Sequence, residues 1–317
     1  MLFQSILFFL GVFGVYVGAE WFVKGSSNLS RDLGIRPIII GLTVVAFGTS
    51  SPELAVSLTA AFKGSDNISI GNIIGSNIAN IGLVLGITAI VFPLRVERII
   101  MKKELPLMIG ISFLFCVMAM DKVIGVIDGS ILFMGIFLYV GYQIYNTVNS
   151  KVNGESSGSI KKNDSAINRK TVLRNILYIT LGLPFLLAGA QLLVKSAIGI
   201  AGGFGVSEMV IGLTVVALGT SIPEMATSVV SAFRRETDIC VGNIIGSNIF
   251  NILMVIGSVA LVRPLAVNQD TLFFELPVML LFSIALIPMI RGNLTVNRIE
   301  GFLLTFGYGI FIFFLFR

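Results

Sequence analysis

Long runs of apolar residues, separated by short polar stretches, make up most of the chain. The hydrocarbon core of a bilayer is about 30 Å thick, and a helix needs roughly 20 apolar residues to cross it. Runs of that length predict ten membrane-spanning helices, and no strand-like alternation of comparable length competes with them. The predicted spans cover residues 2–23, 38–62, 68–92, 104–120, 124–146, 173–194, 208–232, 240–262, 271–290 and 299–316.

The overall composition is that of an integral membrane protein. Of the 317 residues, 55% are hydrophobic and 12% are charged, and the mean hydropathy is +0.95, whereas a soluble domain carries roughly 25% charged residues. The chain has no histidine, which excludes a Ser-His-Asp triad and a His-ligated zinc ion. Cys116 and Cys240 lie in or beside apolar runs, where a thiol is usually inert. We therefore expect neither an enzyme nor a bound cofactor.

The basic residues predict how the chain is oriented in the membrane. They give a net charge of +5 but are scattered between the apolar spans, so we expect no binding of nucleic acid. If the N-terminus lies outside, most Lys and Arg residues fall in loops on the inner side. The positive-inside rule then places both termini outside the plasma membrane and the polar linker 147–172 in the cytoplasm. The Gly, Ser, Asn and Lys content of this linker predicts a flexible tether.

The two halves of the chain repeat one another. A shift of 171 residues aligns 41–86 with 212–257 without a gap, and 28 of the 46 aligned positions are identical. Residues 1–146 and 173–317 are therefore interpreted as two copies of a five-helix unit. Because five is an odd number, the second copy must enter the membrane from the opposite side. We predict an all-α membrane protein of ten transmembrane helices in two inverted five-helix repeats, an architecture common among secondary transporters.

Each repeat carries one acidic residue deep within a predicted span. Glu53 lies in 38–62, and Glu224 lies at the equivalent depth in 208–232. An ionised group at the centre of a bilayer costs at least about 2.5–3.5 kcal/mol. No Lys or Arg lies within these two spans, so the counter-charge should be a bound cation or a proton. Two neighbouring carboxylates also repel each other, so we expect protons to compete with the cation at low pH.

The residues around each glutamate offer further oxygen atoms. A Gly-Thr-Ser motif precedes each glutamate, at 48–50 and 219–221, and Pro52 and Pro223 should break the helix there. The break is expected to free backbone carbonyls near residues 46–48 and 217–219. Carboxylates and uncharged oxygen atoms suit Ca²⁺ or Na⁺ rather than a soft metal. The next span of each repeat is expected to form a second wall of polar residues, namely Asn72, Ser76, Asn77 and Asn80, with Asn243, Ser247, Asn248 and Asn251.

The paired motifs Gly-Thr-Ser-x-Pro-Glu and Gly-Asn-x-Ile-Gly-Ser-Asn resemble the α-repeats of the Na⁺/Ca²⁺ exchanger family, within the cation/Ca²⁺ antiporter superfamily. The resemblance covers all ten predicted spans, and the short linker is similar to that of prokaryotic members. It implies alternating access, in which the first span of each half slides against the other eight helices.

The resemblance also implies a set of ion ligands. It implies that Glu53 and Glu224 are shared by Ca²⁺ and Na⁺, and that the backbone oxygens of Thr49 and Thr220 bind Ca²⁺. Asn251 lies where members that co-transport K⁺ carry aspartate, so the amide argues against K⁺ coupling. Asn80 is the equivalent residue of the first repeat and also replaces an aspartate of some members. The implied flanking Na⁺ ligands are Ala46, Ser50, Ser76, Ala217, Ser221 and Ser247.

These observations together predict an antiporter that exchanges Na⁺ for Ca²⁺ across the plasma membrane by alternating access. Its expected partners are the two transported ions and the lipid bilayer, and no obligate protein partner is evident. The alternative is an H⁺-coupled exchanger of Ca²⁺ or another divalent cation on the same scaffold, because glutamates can carry protons without histidine. A cation channel would more naturally surround one pore axis with identical elements. An aspartyl intramembrane enzyme would need paired Asp residues, whereas the deep acids here are both Glu.

Overall fold

The computed structural model describes residues 2–152, 169–203 and 219–315, and these residues are mostly helical. When an α-helix is counted together with the helical segments that continue it, eight of the described helices are long and apolar enough to cross a membrane. A bent helix pair within 37–62 gives up to nine such spans. The chain is therefore a multi-pass helical membrane protein. Each predicted span that lies within the described residues overlaps one of these helices. The first part of the predicted span 208–232 lies outside them.

The helices are numbered in chain order. In the first half they are α1 (Leu2–Asp32), α2 (Pro37–Ile40), α3 (Ala46–Thr49), α4 (Ser51–Phe62), α5 (Asp66–Ala79), α6 (Gly86–Val91), α7 (Leu105–Met118) and α8 (Val126–Val152). In the second half they are α9 (Arg169–Gly203), α10 (Ile222–Phe233), α11 (Thr237–Phe250), α12 (Gly257–Val262), α13 (Leu276–Arg291) and α14 (Arg298–Leu315). Short π-helical segments adjoin several of them, at Gly41–Val45, Asn80–Leu85, Ile100–Glu104, Asn251–Ile256 and Thr271–Glu275.

The helices on both sides extend into the predicted linker 147–172. Because α8 continues to Val152 and α9 begins at Arg169, both ends of 147–172 are helical. The remaining residues, 153–168, lie outside the described part of the chain. The prediction of a flexible tether for this segment therefore stays a prediction.

Two short antiparallel ladders join the halves at opposite ends of the molecule. Strand β1 (Leu94–Arg95) pairs with β4 (Thr295–Val296), and β2 (Val123–Ile124) pairs with β3 (Leu265–Ala266). The helix α7 lies between β1 and β2 in the chain and crosses from one ladder to the other. We refer to the two ends of the molecule as the β1–β4 end and the β2–β3 end.

The turns that follow α4 and α10 are equivalent in the repeat but lie at different ends. After α4, Asp66 accepts a hydrogen bond from the Ala266 N–H at 3.3 Å, which places this turn at the β2–β3 end. After α10, the Asp238 carboxyl contacts that of Glu97, two residues beyond β1. The turn after α10 therefore lies at the β1–β4 end.

The helices α1 and α9 pack closely against each other and form a unit beside the other helices. A Cβ atom on Gly11 would lie 2.7 Å from the backbone nitrogen of Leu193, and one on Gly182 would lie 2.6 Å from that of Phe22. Glycine at both positions therefore permits the close approach. A small hydrophobic cluster lies between this pair and the rest, separate from the main core, which is built largely by α5 to α7 and α11 to α13.

Candidate functional site

The backbone leaves helical geometry just before each buried glutamate. The segment ending at Thr49 and the helix α4 differ in direction by 41°. Ser50, at this bend, has φ −81° and ψ 2°, and Ser221 has nearly the same values, −86° and 2°. Pro52 lies in the first turn of the following helix, a position where proline is favoured. The break predicted beside Pro52 is therefore confirmed.

The carbonyl groups before the first bend are not free, contrary to the expectation from the sequence. The Ser50 N–H donates to the Ala46 oxygen at 3.0 Å. The Ser51 hydroxyl donates to the Gly48 oxygen at 2.7 Å and so replaces the N–H that Pro52 lacks. A carbonyl oxygen has two lone pairs, so the Gly48 oxygen can still accept a cation, whereas the Ala46 oxygen also lies 3.4 Å from the Thr49 hydroxyl. The equivalent residue Ala217 lies outside the described residues.

The two glutamates are buried and largely without hydrogen-bond partners. Both Glu53 and Glu224 are 0% exposed. The Ser76 hydroxyl donates to Oε1 of Glu53 at 3.3 Å. Among the described residues, Oε2 of Glu53 and both carboxyl oxygens of Glu224 have no hydrogen-bond partner. None of the ion pairs in the described part of the chain involves either glutamate.

Each glutamate lies beside residues of the other half. The Glu224 carboxyl is close enough to Glu53 to interact with it electrostatically, and the side chains of Thr49 and Ser50 lie beside it. In the same way, the side chain of Thr220 lies beside the Glu53 carboxyl. The segments around the two glutamates therefore meet, and the acidic side chains converge in the interior of the molecule.

A threonine–asparagine hydrogen bond lies on each side of the glutamates. The Thr49 hydroxyl donates to Oδ1 of Asn243 at 3.0 Å, and the Thr220 hydroxyl donates to Oδ1 of Asn72 at 3.4 Å. The shift of 171 residues relates these two bonds to each other. The Ser247 hydroxyl also contacts the Thr49 hydroxyl at 3.3 Å. The predicted second wall therefore contacts the residues that precede the glutamates.

Four asparagines meet where α5 and α11 end. Nδ2 of Asn80 donates to Oδ1 of Asn248 at 3.1 Å, and Nδ2 of Asn251 donates to Oδ1 of Asn77 at 3.0 Å. The Oδ1 atoms of Asn80 and Asn251 are buried and have no partner among the described residues. A π-helical segment begins at each of these two residues, and such segments are frequent at functional sites.

Several hydroxyl groups near the glutamates are also unsatisfied. The Ser50 and Ser221 hydroxyl oxygens are buried and lack a partner among the described residues. The same holds for Thr227 and Ser231 in α10, which were not among the predicted ligands. Their repeat equivalents are apolar, so comparison of the halves could not reveal them. Their helical spacing of three and seven residues from Glu224 was the available signal.

Comparison with known proteins identifies the family. A family model described as sodium/calcium exchanger protein matches residues 3–148 and 174–317. The chain belongs to the sodium/calcium exchanger family. Members of this family transport ions and are not enzymes, so this family member is a cation/Ca²⁺ antiporter.

The chain is similar along its whole length to two relatives and to one solved structure. It is 32% identical over 342 aligned positions to sodium/calcium exchanger MaX1 of Methanosarcina acetivorans, with 98% of each chain covered. It is 34% identical over 316 positions to inner membrane protein YrbG of Escherichia coli, covering 98% of this chain and 96% of the relative. The sodium-calcium exchanger NCX_Mj, soaked with zero Na⁺ and Ca²⁺, matches with a TM-score of 0.86 and 32% identity, covering 99% and 100% of the chains.

Proposed function

We propose that this chain exchanges Na⁺ for Ca²⁺ across the plasma membrane by alternating access, with the cations bound between Glu53 and Glu224. The observation that carries the proposal is that three of the four carboxyl oxygens are buried without a partner among the described residues. An unpaired buried charge is costly, and a bound cation removes that cost. Two ionised glutamates carry a charge of about −2, which one Ca²⁺ or two Na⁺ would neutralise.

The proposed ligands surround the two glutamates. The backbone oxygens of Thr49 and Thr220 would bind Ca²⁺, whereas Ser50 and Ser221 would offer their unpartnered hydroxyls to Na⁺. The unpartnered amide oxygens of Asn80 and Asn251 support their place at the edge of the site. The remaining proposed Na⁺ ligands are Ser76, Ser247 and the backbone oxygens of Ala46 and Ala217.

The proposed architecture is ten transmembrane helices in two inverted repeats, 1–146 and 173–317. Its support is that the equivalent turns after α4 and α10 lie at opposite ends of the molecule. The separate packing of α1 and α9 supports a movement of this pair against the remaining helices. By the positive-inside rule we assign the β1–β4 end, with Arg95 and Arg98, to the cytoplasm and both termini to the outside.

The coupling ion is the finer part of the proposal. The names of the relatives MaX1 and NCX_Mj, a sodium/calcium and a sodium-calcium exchanger, favour Na⁺. Proton coupling is the alternative, because two buried glutamates can carry protons in place of cations. Radioactive ⁴⁵Ca²⁺ uptake into proteoliposomes separates the two. One batch is loaded with Na⁺ and another with K⁺ at matched pH, and both are diluted into Na⁺-free buffer.

Uptake into the Na⁺-loaded vesicles alone would support Na⁺/Ca²⁺ exchange. Uptake that ignores Na⁺ and follows an imposed pH gradient would replace the proposal with the H⁺-coupled alternative. Calcium that equilibrates without any counter-ion would contradict antiport altogether.

A further inference from the structure

A stripe of polar residues runs along α10 from the buried glutamate to the β1–β4 end. Glu224, Thr227, Ser231 and Arg234 follow one another at spacings of three, four and three residues, so they share one face of the helix. The hydroxyls of Thr227 and Ser231 are fully buried and lack a partner among the described residues. We call these four residues the α10 stripe.

The helix α1 packs along α10 and is fastened to the end of the stripe by two ion pairs. The Arg234 guanidinium binds the Glu20 carboxylate through two nitrogens, and Nε donates to Oε2 at 2.9 Å. Two residues further on, Glu236 pairs with Arg31 and accepts a hydrogen bond from the Ser27 hydroxyl at 2.6 Å. The hydrogen bond to Glu20 raises the pKa of Arg234, so this arginine stays charged.

The equivalent face of the first half is apolar. The shift of 171 residues relates Thr227 to Val56 and Ser231 to Ala60. Thr227 is 0% exposed beneath the packed helices, whereas Val56 is 38% exposed. Val56 is therefore more accessible than its counterpart Thr227, whereas Ala60 is buried like its counterpart Ser231.

The first half also lacks the chemistry for the ion pairs. Position 191, the equivalent of Glu20, is a glutamine, and position 202, the equivalent of Arg31, is a glycine. The equivalents of Arg234 and Glu236, after α4, are Lys63 and Ser65. Neither combination can form an ion pair, so the sequence provides this fastening at one end of the molecule and not at the other.

The hydrogen bonds beside the glutamates show the same asymmetry. The bond between Thr49 and Asn243 is fully buried. Its equivalent between Thr220 and Asn72 joins two half-buried residues. Asn72 lies on α5 ahead of Asn77, and α5 begins at the β2–β3 end. The site is therefore closed toward the ion pairs and more accessible from the opposite end.

We propose that the two ion pairs form a gate that holds α1 against α10, and that this one-sided gate makes the carrier rest open toward the β2–β3 end. The inference rests on the proposed alternating access. Glu20 and Arg234 act as positioning residues that set the balance between the two conformations, and they bind no transported ion. When a pair is broken, α1 separates from α10 more readily and the opposite conformation gains population.

The test compares the KM for Ca²⁺ at the two faces of the membrane. Exchange is measured in vesicles of both orientations. The orientation is identified by labelling the variant Met120→Cys, near β2, with a reagent that does not cross the membrane, in a Cys116→Ala, Cys240→Ala background. An apparent affinity scales with the population of the competent conformation. An exposed ion pair is typically worth a two- to fivefold change in an equilibrium, at about 1 kcal/mol or less. We expect Glu20→Gln to lower the KM at the β1–β4 face and raise it at the other, changing their ratio by about two- to fivefold.

Three further variants make the test specific to the gate. Arg31→Gln breaks the second pair and should change the ratio in the same direction, which keeps the test valid if Glu20→Gln folds poorly. The charge exchange Glu20→Arg with Arg234→Glu should restore the ratio. Arg263→Gln is the matched control, because its ion pair with Asp66 does not involve α1 and its loss should leave the ratio unchanged.

Equal changes in KM at both faces, or an unchanged ratio in both pair-breaking variants, would overturn the gate. Failure of the unmodified protein to exchange Ca²⁺ for Na⁺ would instead overturn the proposed function. The two failures are distinguishable because the second is seen before any substitution is made.

Discussion

Asn77 and Asn248 each donate a side-chain hydrogen bond to the backbone carbonyl of the other, and both bonds are 3.4 Å long. The two residues are 171 positions apart, which is the shift that aligns the halves. Each half therefore offers the same groups to this contact. Such an exchange of identical roles is the signature of a two-fold relationship, as at the interface of a symmetric dimer.

Loss of either asparagine should destabilise the protein by a similar amount. Asn77→Ala and Asn248→Ala each remove an amide from a buried network and leave partners unsatisfied, at about 1–3 kcal/mol per group. Thermal unfolding in detergent would measure the loss for both variants. Asn67→Ala is the control, because its bond to Asn268 is exposed and its removal should change little. A large loss for one variant with none for the other would contradict equivalent roles.

Removal of either buried charge should stop exchange without unfolding the protein. Glu53→Gln and Glu224→Gln keep the size of the side chain but remove the charge that the proposed cations neutralise. We expect ⁴⁵Ca²⁺ exchange to fall at least a hundredfold, since a buried charge interaction is lost, while the elution volume in gel filtration stays the same. Glu275→Gln is the matched control, because this carboxylate bonds Thr271 at the start of a helix away from the site. Substantial Ca²⁺ exchange by either site variant would refute the central role of the pair.

The neighbouring serines at the first bend should have different roles. The Ser50 hydroxyl is buried without a partner among the described residues, whereas the Ser51 hydroxyl bonds the Gly48 carbonyl at 2.7 Å. We expect Ser50→Ala to raise the Na⁺ concentration for half-maximal exchange several-fold with little change in stability. Ser51→Ala should instead lower stability by about 0.5–1.5 kcal/mol. Each variant is the control for the other, and equal Na⁺ dependence in both would remove Ser50 from the proposed ligands.

The close contact of α1 with α9 should depend on glycine. Gly182→Ala places a Cβ atom 2.6 Å from the backbone nitrogen of Phe22, so the helices must move apart. We expect a clearly lower unfolding temperature and slower exchange. A Cβ atom on Gly110, in α7, meets nothing within 4 Å, so Gly110→Ala should be neutral or stabilising by about 0.5–1 kcal/mol. An unaltered Gly182→Ala protein would show that this interface is not tightly packed.

The features that could be predicted from the sequence are those that occur in both repeats. Glu53 and Glu224, and the paired Thr–Asn residues, occur in both halves with the same spacing. The Ser51 hydroxyl was not predicted to replace the missing proline N–H, because its repeat equivalent is Ile222 and a rotamer is not encoded in spacing.

The ion pairs of α1 were harder to predict for a different reason. Glu20 and Arg234 are 214 residues apart, and neither belongs to a repeated motif. At sequence level, a carboxylate beside Trp21 near the expected end of a span suggests a side chain that reaches the interface. Only the packing of α1 along α10 shows that this side chain has an arginine partner.

The two ladders have a consequence for how the protein is made. When residues 1–152 have left the ribosome, strands β1 and β2 still lack their partners, which belong to the second half. The side-chain amide of Asn80 also lacks its hydrogen-bond acceptor, Asn248, until the second half is made. Unsatisfied polar groups are costly within a bilayer, so we expect the isolated N-terminal half to be recognised and degraded by membrane quality control. Co-expressed with the C-terminal half, it should be rescued, as happens when two separately synthesised subunits complete each other.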